Sequence, residues 1–201
     1  MGIVERKIRQ KEETKTAILQ AAWDIVTAEG WQTLSIRKIA DAIEYSVQVV
    51  YSHFENKEAI LLEFTREGFR LLTQRLQEAK DARKNPAEQL KAIAQAYWDF
   101  AFEQKEYYQI MFGLGIPACD TADKIIEVKL MGEVIATTLQ EAIETGNNKK
   151  ADQKLKFHTY WSILHGLVSM QLISRNEMET EEKLMILKDA IGGFIKSLEE
   201  E

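Results

Sequence analysis

The chain has 201 residues and a formal net charge of −6, with 45% apolar and 29% charged residues, a composition that folds and that excludes a disordered tail. Two prolines and ten glycines are too few turn formers for a β-sandwich or barrel, and a lone cysteine, Cys119, excludes an internal disulfide framework and a cysteine-rich zinc site. No run approaches the roughly 18 uninterrupted apolar residues of a membrane span, and the charged start lacks the form of a signal peptide, so a soluble, cytoplasmic protein is expected.

The pattern is helical almost throughout. From Thr14 to Glu29, apolar residues at Ala17, Ile18, Ala21, Ala22, Ile25 and Val26 follow the i, i+3, i+4, i+7 rhythm of an amphipathic helix, and Gly30 ends it. The basic stretch ahead, Arg6 to Lys15, reads either as a flexible arm placed to reach along a nucleic-acid duplex or, as such runs more often are, as a merely solvated segment. Ser35 caps a second helix with Ile36, Ile39, Ala40 and Ile43 inward, and Leu34 is placed to staple onto Ile39. After Glu44-Tyr45-Ser46 a third helix is predicted over 47–54, capped by Ser46. Asn56 opens a long helix to about Ala79, Asn85-Pro86 starts the next, to about Gln104, and a short aromatic helix covers 107–112. An irregular stretch follows over 113–120, then helices near 121–144, 152–175 and 180–198. The fold class is all-α with about nine helices: a three-helix unit over 1–56, and a helical bundle over 57–201 entered through helix 57–79.

Helices two and three, joined by a tight bend, have the form of a helix-turn-helix, in which the second helix of the pair presents side chains to the DNA major groove. That use requires an apolar inner face, which Val50 and Phe54 supply, and an outer face with hydrogen-bonding groups, which Gln48 and Ser52 supply. Tyr51 and His53 fall on the flanks, placed for phosphate oxygens. No Asp or Glu stands between Ser46 and Phe54, so nothing there repels a polyanion. The global charge is no obstacle: residues 1–57 hold eight Lys/Arg against eight Asp/Glu, and the whole deficit of six falls later.

Residues Gly30-Trp31-Gln32-Thr33-Leu34-Ser35-Ile36-Arg37-Lys38-Ile39-Ala40, and Ser46 through Tyr51-Ser52-His53-Phe54-Glu55-Asn56-Lys57-Glu58, resemble the N-terminal signature of the tetracycline-repressor-like (TetR) transcriptional regulators over about residues 14–62. Two positions depart from the family pattern: Glu44 stands at the usual turn glycine, at a cost of roughly 1 kcal/mol for a left-handed residue, and Tyr45 replaces a small apolar residue. The resemblance implies that Ser35 and Arg37 touch the backbone or an outer base. It implies that Val47, Gln48 and Val49 approach base edges, Gln48 reading adenine and the valines thymine methyls; by helical angle alone Val47 falls nearer the inner face. It further implies that Tyr51, His53 and Lys57 hold phosphates, Lys57 with the help of the positive helix end.

The second half resembles one C-terminal subgroup of these regulators through Tyr97-Trp98-Asp99-Phe100-Ala101, Tyr107-Tyr108-Gln109-Ile110-Met111-Phe112-Gly113 and the Trp161, His165, Gly166 motif. That likeness implies a homodimer paired through the last two helices, where Gly166 and Gly192-Gly193 permit close approach. Trp98, Phe102, Met111, Phe112, Met131, Trp161, His165 and Met170 are candidates for the wall of an effector cavity, because aromatic and methionine side chains adapt to small molecules. Large residues at helical spacing also make ordinary core, and His165 fits a hydrogen-bonded core histidine better than an effector contact. No metal ligand set, cofactor motif or catalytic constellation stands out, and Cys119 has no basic neighbour to activate it.

The expected function is a dimeric, ligand-responsive regulator that binds a pseudo-palindromic double-stranded DNA operator, most readily as a repressor released by a small-molecule effector. An all-α small-molecule binder or enzyme without DNA binding is the competing reading, and it leaves the Ser46–Lys57 pattern without a use.

Overall fold

The structure is a computed structural model that describes residues 2–113, 125–173 and 179–199. Cys119 and the irregular stretch beyond Gly113 lie outside the described residues, as do 121–124 and 174–178. The described residues form nine α-helices and one 3-10 turn, with no strand: α1 (Ile3–Glu29), α2 (Ile36–Ala42), α3 (Val47–Tyr51), α4 (Lys57–Asp81), α5 (Pro86–Glu103), α6 (Lys105–Phe112), α7 (Ile126–Thr145), α8 (Gln153–Ile173) and α9 (Thr180–Glu199). The chain divides into two compact units, Met1–Glu67 with Glu106–Ile116, and Gly68–Lys105 with Pro117–Glu201. The first therefore includes the start of α4 and nearly all of α6, and the division falls inside α4 instead of at residue 56.

In the first unit α1 begins eleven residues before the predicted start. The basic lead is helical, not a flexible arm, because Glu, Gln, Lys and Arg are good helix formers and the Glu5 carboxylate accepts the Gly2 N–H at 2.8 Å. Gly30 ends the helix at φ 85°, a conformation side chains rarely adopt; the unpredicted 3-10 turn Trp31–Thr33 follows. Ile18, Ala22 and Val26 of α1 join Leu34, Ile39, Ala40, Val50, Phe54, Ile60, Leu61 and Phe64 in one core.

By chain order α6 falls with the second half, yet it is part of this core. Ile110 is buried in it, and the Tyr107 ring stacks on Trp23 with centroids 4.0 Å apart. Trp23 in turn meets Phe64 edge-on at 5.1 Å.

The second unit is a bundle in which α5 packs against α7, α8 and α9. The Asn85 side chain accepts the N–H groups of Ala87 and Glu88 with Pro86 in the first turn, as predicted. Tyr97, Phe100, Ile135, Leu139, Tyr160, Leu164 and Ile191 fill the interior. Tyr160 donates its hydroxyl proton to the Leu90 carbonyl at 2.5 Å, and burial pushes its pKa far up, so it stays a neutral donor. None of the described helices is long and apolar enough to cross a membrane.

Candidate nucleic-acid interface

The bend between α2 and α3 is built from backbone hydrogen bonds. Glu44 adopts φ 57°, the left-handed conformation that sequence analysis assigns to it. Around it the Tyr45 N–H donates to the Ala40 carbonyl at 3.0 Å and the Glu44 N–H to that of Asp41 at 3.3 Å. These two bonds are the 6→1 and 5→2 closures of a Schellman motif, which satisfy carbonyls at the end of α2 and offset the strain of a non-glycine residue there.

Capping follows the sequence at α2 and α4. Ser35 Oγ accepts the Lys38 N–H at 3.2 Å, and Asn56 Oδ1 accepts the Ala59 N–H at 2.8 Å, each worth about 1 kcal/mol. Ser46 is not a side-chain cap of α3: the Val49 N–H bonds to the backbone carbonyl of Ser46 at 2.9 Å. The helix also stops at Tyr51 instead of Phe54. Ser52 Oγ donates to the Val49 carbonyl at 2.7 Å, and the His53 N–H takes the tighter i−3 bond to Val50.

The faces sort as the hydrophobic pattern demands. Val50 and Phe54 are buried, contributing roughly 1.5–3 kcal/mol each, and they fix the rotation of α3. Gln48, Tyr51 and Ser52 then face solvent, and Tyr51 is 53% exposed. Val47 packs against the core, where its helical angle puts it, while Val49, His53, Ser35 and Lys57 are half-buried. Arg37 is exposed and has no ionic partner among the described residues, whereas the neighbouring Lys38 is tied to Glu29 at 2.6 Å.

The eight cavity candidates do not share one environment. Met111 and Phe112 belong to the first unit with α6, and Met111 is buried there. In the second unit Trp98 and Phe102 lie ring to ring at 4.9 Å and line a cleft of about 230 Å3 with Asp99, Glu103 and Lys183. Met131 is buried. His165 is a hydrogen-bonded core histidine: its Nδ1 lies 3.2 Å from the Tyr97 hydroxyl, its ring stacks on Trp161, and burial lowers its pKa. Met170 is 69% exposed, so it walls no interior space of this unit. A larger groove of about 490 Å3 between α5 and α9, lined in part by Arg83, Lys91, Leu187 and Ile191, has no counterpart in the sequence reading, because it is made by residues whose spacing marks only an amphipathic surface.

Residues 18–64 match the sequence model described as bacterial regulatory proteins, tetR family, and residues 90–184 match that of the tetracyclin repressor-like C-terminal domain. The chain is 26% identical over 189 residues to the uncharacterized HTH-type transcriptional regulator YobS of Bacillus subtilis, with 92% of each chain covered. It is 20% identical to the HTH-type transcriptional activator FasR of Mycolicibacterium smegmatis, covering 92% of this chain and 81% of that one. Its fold is similar to that of the TetR family transcriptional regulator PfmR of Thermus thermophilus, with a TM-score of 0.66, 21% identity and coverage of 89% and 97%. With a helix-turn-helix whose outward face is free of acids and both halves matched to the same family, the chain belongs to the TetR family: it is a transcriptional regulator with an N-terminal DNA-binding domain.

Proposed function

We propose that the protein is a homodimeric repressor that leaves a pseudo-palindromic operator when a small-molecule effector binds its second unit. The observation that carries the DNA side is the α3 face: Val50 and Phe54 buried, Gln48 and Tyr51 exposed, and no acidic residue from Ser46 to Phe54. In this reading Gln48 and Val49 meet base edges. Ser35, Arg37, Tyr51, His53 and Lys57 hold the flanking phosphates, and Val47 acts from beneath by holding the helix in place.

A second copy is the partner that the last two helices call for. The buried stripe of α8 is Tyr160, Leu164 and Val168, yet Leu155, Met170 and Ile173 on its other side are 62%, 69% and 81% exposed. On α9 Met185 is also exposed, at 63%. A helix apolar on both faces needs cover on both, and a Cβ at Gly166, Gly192 or Gly193 would meet nothing within 4 Å among the described residues, which leaves room for a neighbouring helix. Two α3 helices would then read half-sites about 34 Å or a multiple of it apart. The effector acts through differential affinity for two states, and a hundredfold loss of operator affinity corresponds to roughly 2.7 kcal/mol of coupling. Residues 57–79 run through both units and give that coupling a covalent route.

Fluorescence anisotropy with the DNA upstream of the protein's own gene tests the reading. Specific, salt-sensitive binding at two protomers per site is the expected result. Binding no tighter than to scrambled DNA of the same length would sink it.

A further inference from the structure

The first turns of α1 bury nothing. Residues 2–13 are all exposed, and Ile18 is the first buried residue of the helix, so about 16 Å of helix from Ile3 to Glu13 stands clear of the core at 1.5 Å per residue. Its charges are sorted by side. At about 100° per residue, Lys7, Lys11 and Lys15 fall within about 80° of arc, with Val4 inside it and Ile3 and Ile8 at its edges. Glu5, Glu12 and Glu13 lie outside that sector beside Arg6 and Arg9. There three acids outnumber two bases, Arg9 pairing with Glu13 at 3.5 Å, whereas Lys7, Lys11 and Lys15 have no ionic partner among the described residues. The row ends beside the reading helix: Lys15 Nζ lies 5.8 Å from the centre of the Phe54 ring, three residues beyond Tyr51.

We infer that this helical extension is a second DNA contact, in which Lys7, Lys11 and Lys15 hold successive phosphates along one strand outside the segment that α3 reads. The inference rests on the DNA-binding reading given above and extends its footprint. Charge complementarity and continuity with the α3 surface select a nucleic-acid backbone as the occupant. Lysines one turn apart are spaced about 6 Å along the axis, and their long flexible stems adapt that spacing to neighbouring phosphates of one strand. Such contacts carry no sequence information, so they add equally to specific and non-specific binding.

The test is the salt dependence of binding by the full-length protein. Each phosphate neutralised contributes about 0.9 to the slope of log K against log[salt]. The triple variant Lys7→Gln, Lys11→Gln, Lys15→Gln keeps helix propensity nearly constant, which far-ultraviolet circular dichroism verifies. It should lower the slope by about 2.7 and weaken binding about a hundredfold at 0.1 M KCl, on operator and scrambled DNA alike. Deletion of residues 2–13 should reproduce most of that loss, and Arg6→Gln with Arg9→Gln on the opposite side should change the slope by less than about 1. A slope within about 0.5 of the parent in both the triple variant and the deletion overturns the inference. So does a loss confined to the operator, which would make the lysines base readers, and so does lysine-dependent binding to vesicles containing phosphatidylserine with the DNA slope unchanged. A parent protein without specific binding would sink the regulator reading itself, and the second contact with it.

Discussion

The α2–α3 surface and the α8–α9 helices show how differently two regions of one chain constrain their side chains. Around α3 a short helix is pinned by two buried residues, Val50 and Phe54, so the direction of every neighbour follows from its spacing, and the exposed ones are available for contact. In α8 apolar residues lie on every side, and spacing alone does not separate Tyr160, buried to 0%, from Met170, 69% exposed. The lesson is that a side chain's identity predicts its use only where the surrounding pattern has one apolar face.

Substitutions can break that contrast. The largest effect is expected from Val50→Asp, which places a charge in the core of the first unit and should cost 4 kcal/mol or more; loss of the cooperative thermal transition of that unit, followed by the fluorescence of Trp23 and Trp31, would show it. Next is Gln48→Ala combined with Tyr51→Ala. Both side chains are exposed, so the melting temperature should hold within about 2 °C, while operator affinity falls a hundredfold or more, about 2.8 kcal/mol at 1.4 per decade, in an anisotropy titration. A drop in stability with unchanged affinity would reverse the roles assigned to the two faces.

Smaller effects sharpen it. His165 has its pKa lowered by burial, so the unfolded chain binds a proton first on acidification. The stability that neutral His165 contributes is full above the ordinary value of 6.5 and is lost as pH falls from there through the lowered value. Thermal melts between pH 7.5 and 5 should show that decline, and His165→Gln should flatten it. Last, Glu44→Gly should raise stability by roughly 0.5–1 kcal/mol, by relieving the left-handed residue, with a matching shift in the urea midpoint.

Much of the first unit is legible in the sequence because its rules are local. Ser35 and Asn56 cap where they are expected, Glu44 takes the left-handed bend, and the buried set Ile18, Ala22, Ile39, Val50 follows from periodicity. The misses are also physical. Nothing local tells a charged arm from a charged helix, since Glu, Lys, Arg and Gln serve both, so the start of α1 is misplaced. Ser46 has the right residue type for a cap, but a backbone carbonyl takes the donor first. The placement of α6 depends on Tyr107 meeting Trp23 across more than eighty residues of chain, and such a pairing leaves no periodic trace. The cavity candidates fail to cohere for the same reason: aromatic and methionine content reports burial, and which of those residues share a space depends on packing across helices.

The reach of α1 beyond the core has a kinetic consequence. One continuous rod contains two regimes of protection against hydrogen exchange, because the turns before Lys15 open at a cost set by helix–coil energetics alone, while those after Ile18 open only with the surrounding core. Amides of residues 5–13 should therefore exchange within the dead time of a mixing experiment and trypsin should cut first at Arg6 to Lys11, leaving a trimmed domain that melts at almost the same temperature as the intact chain.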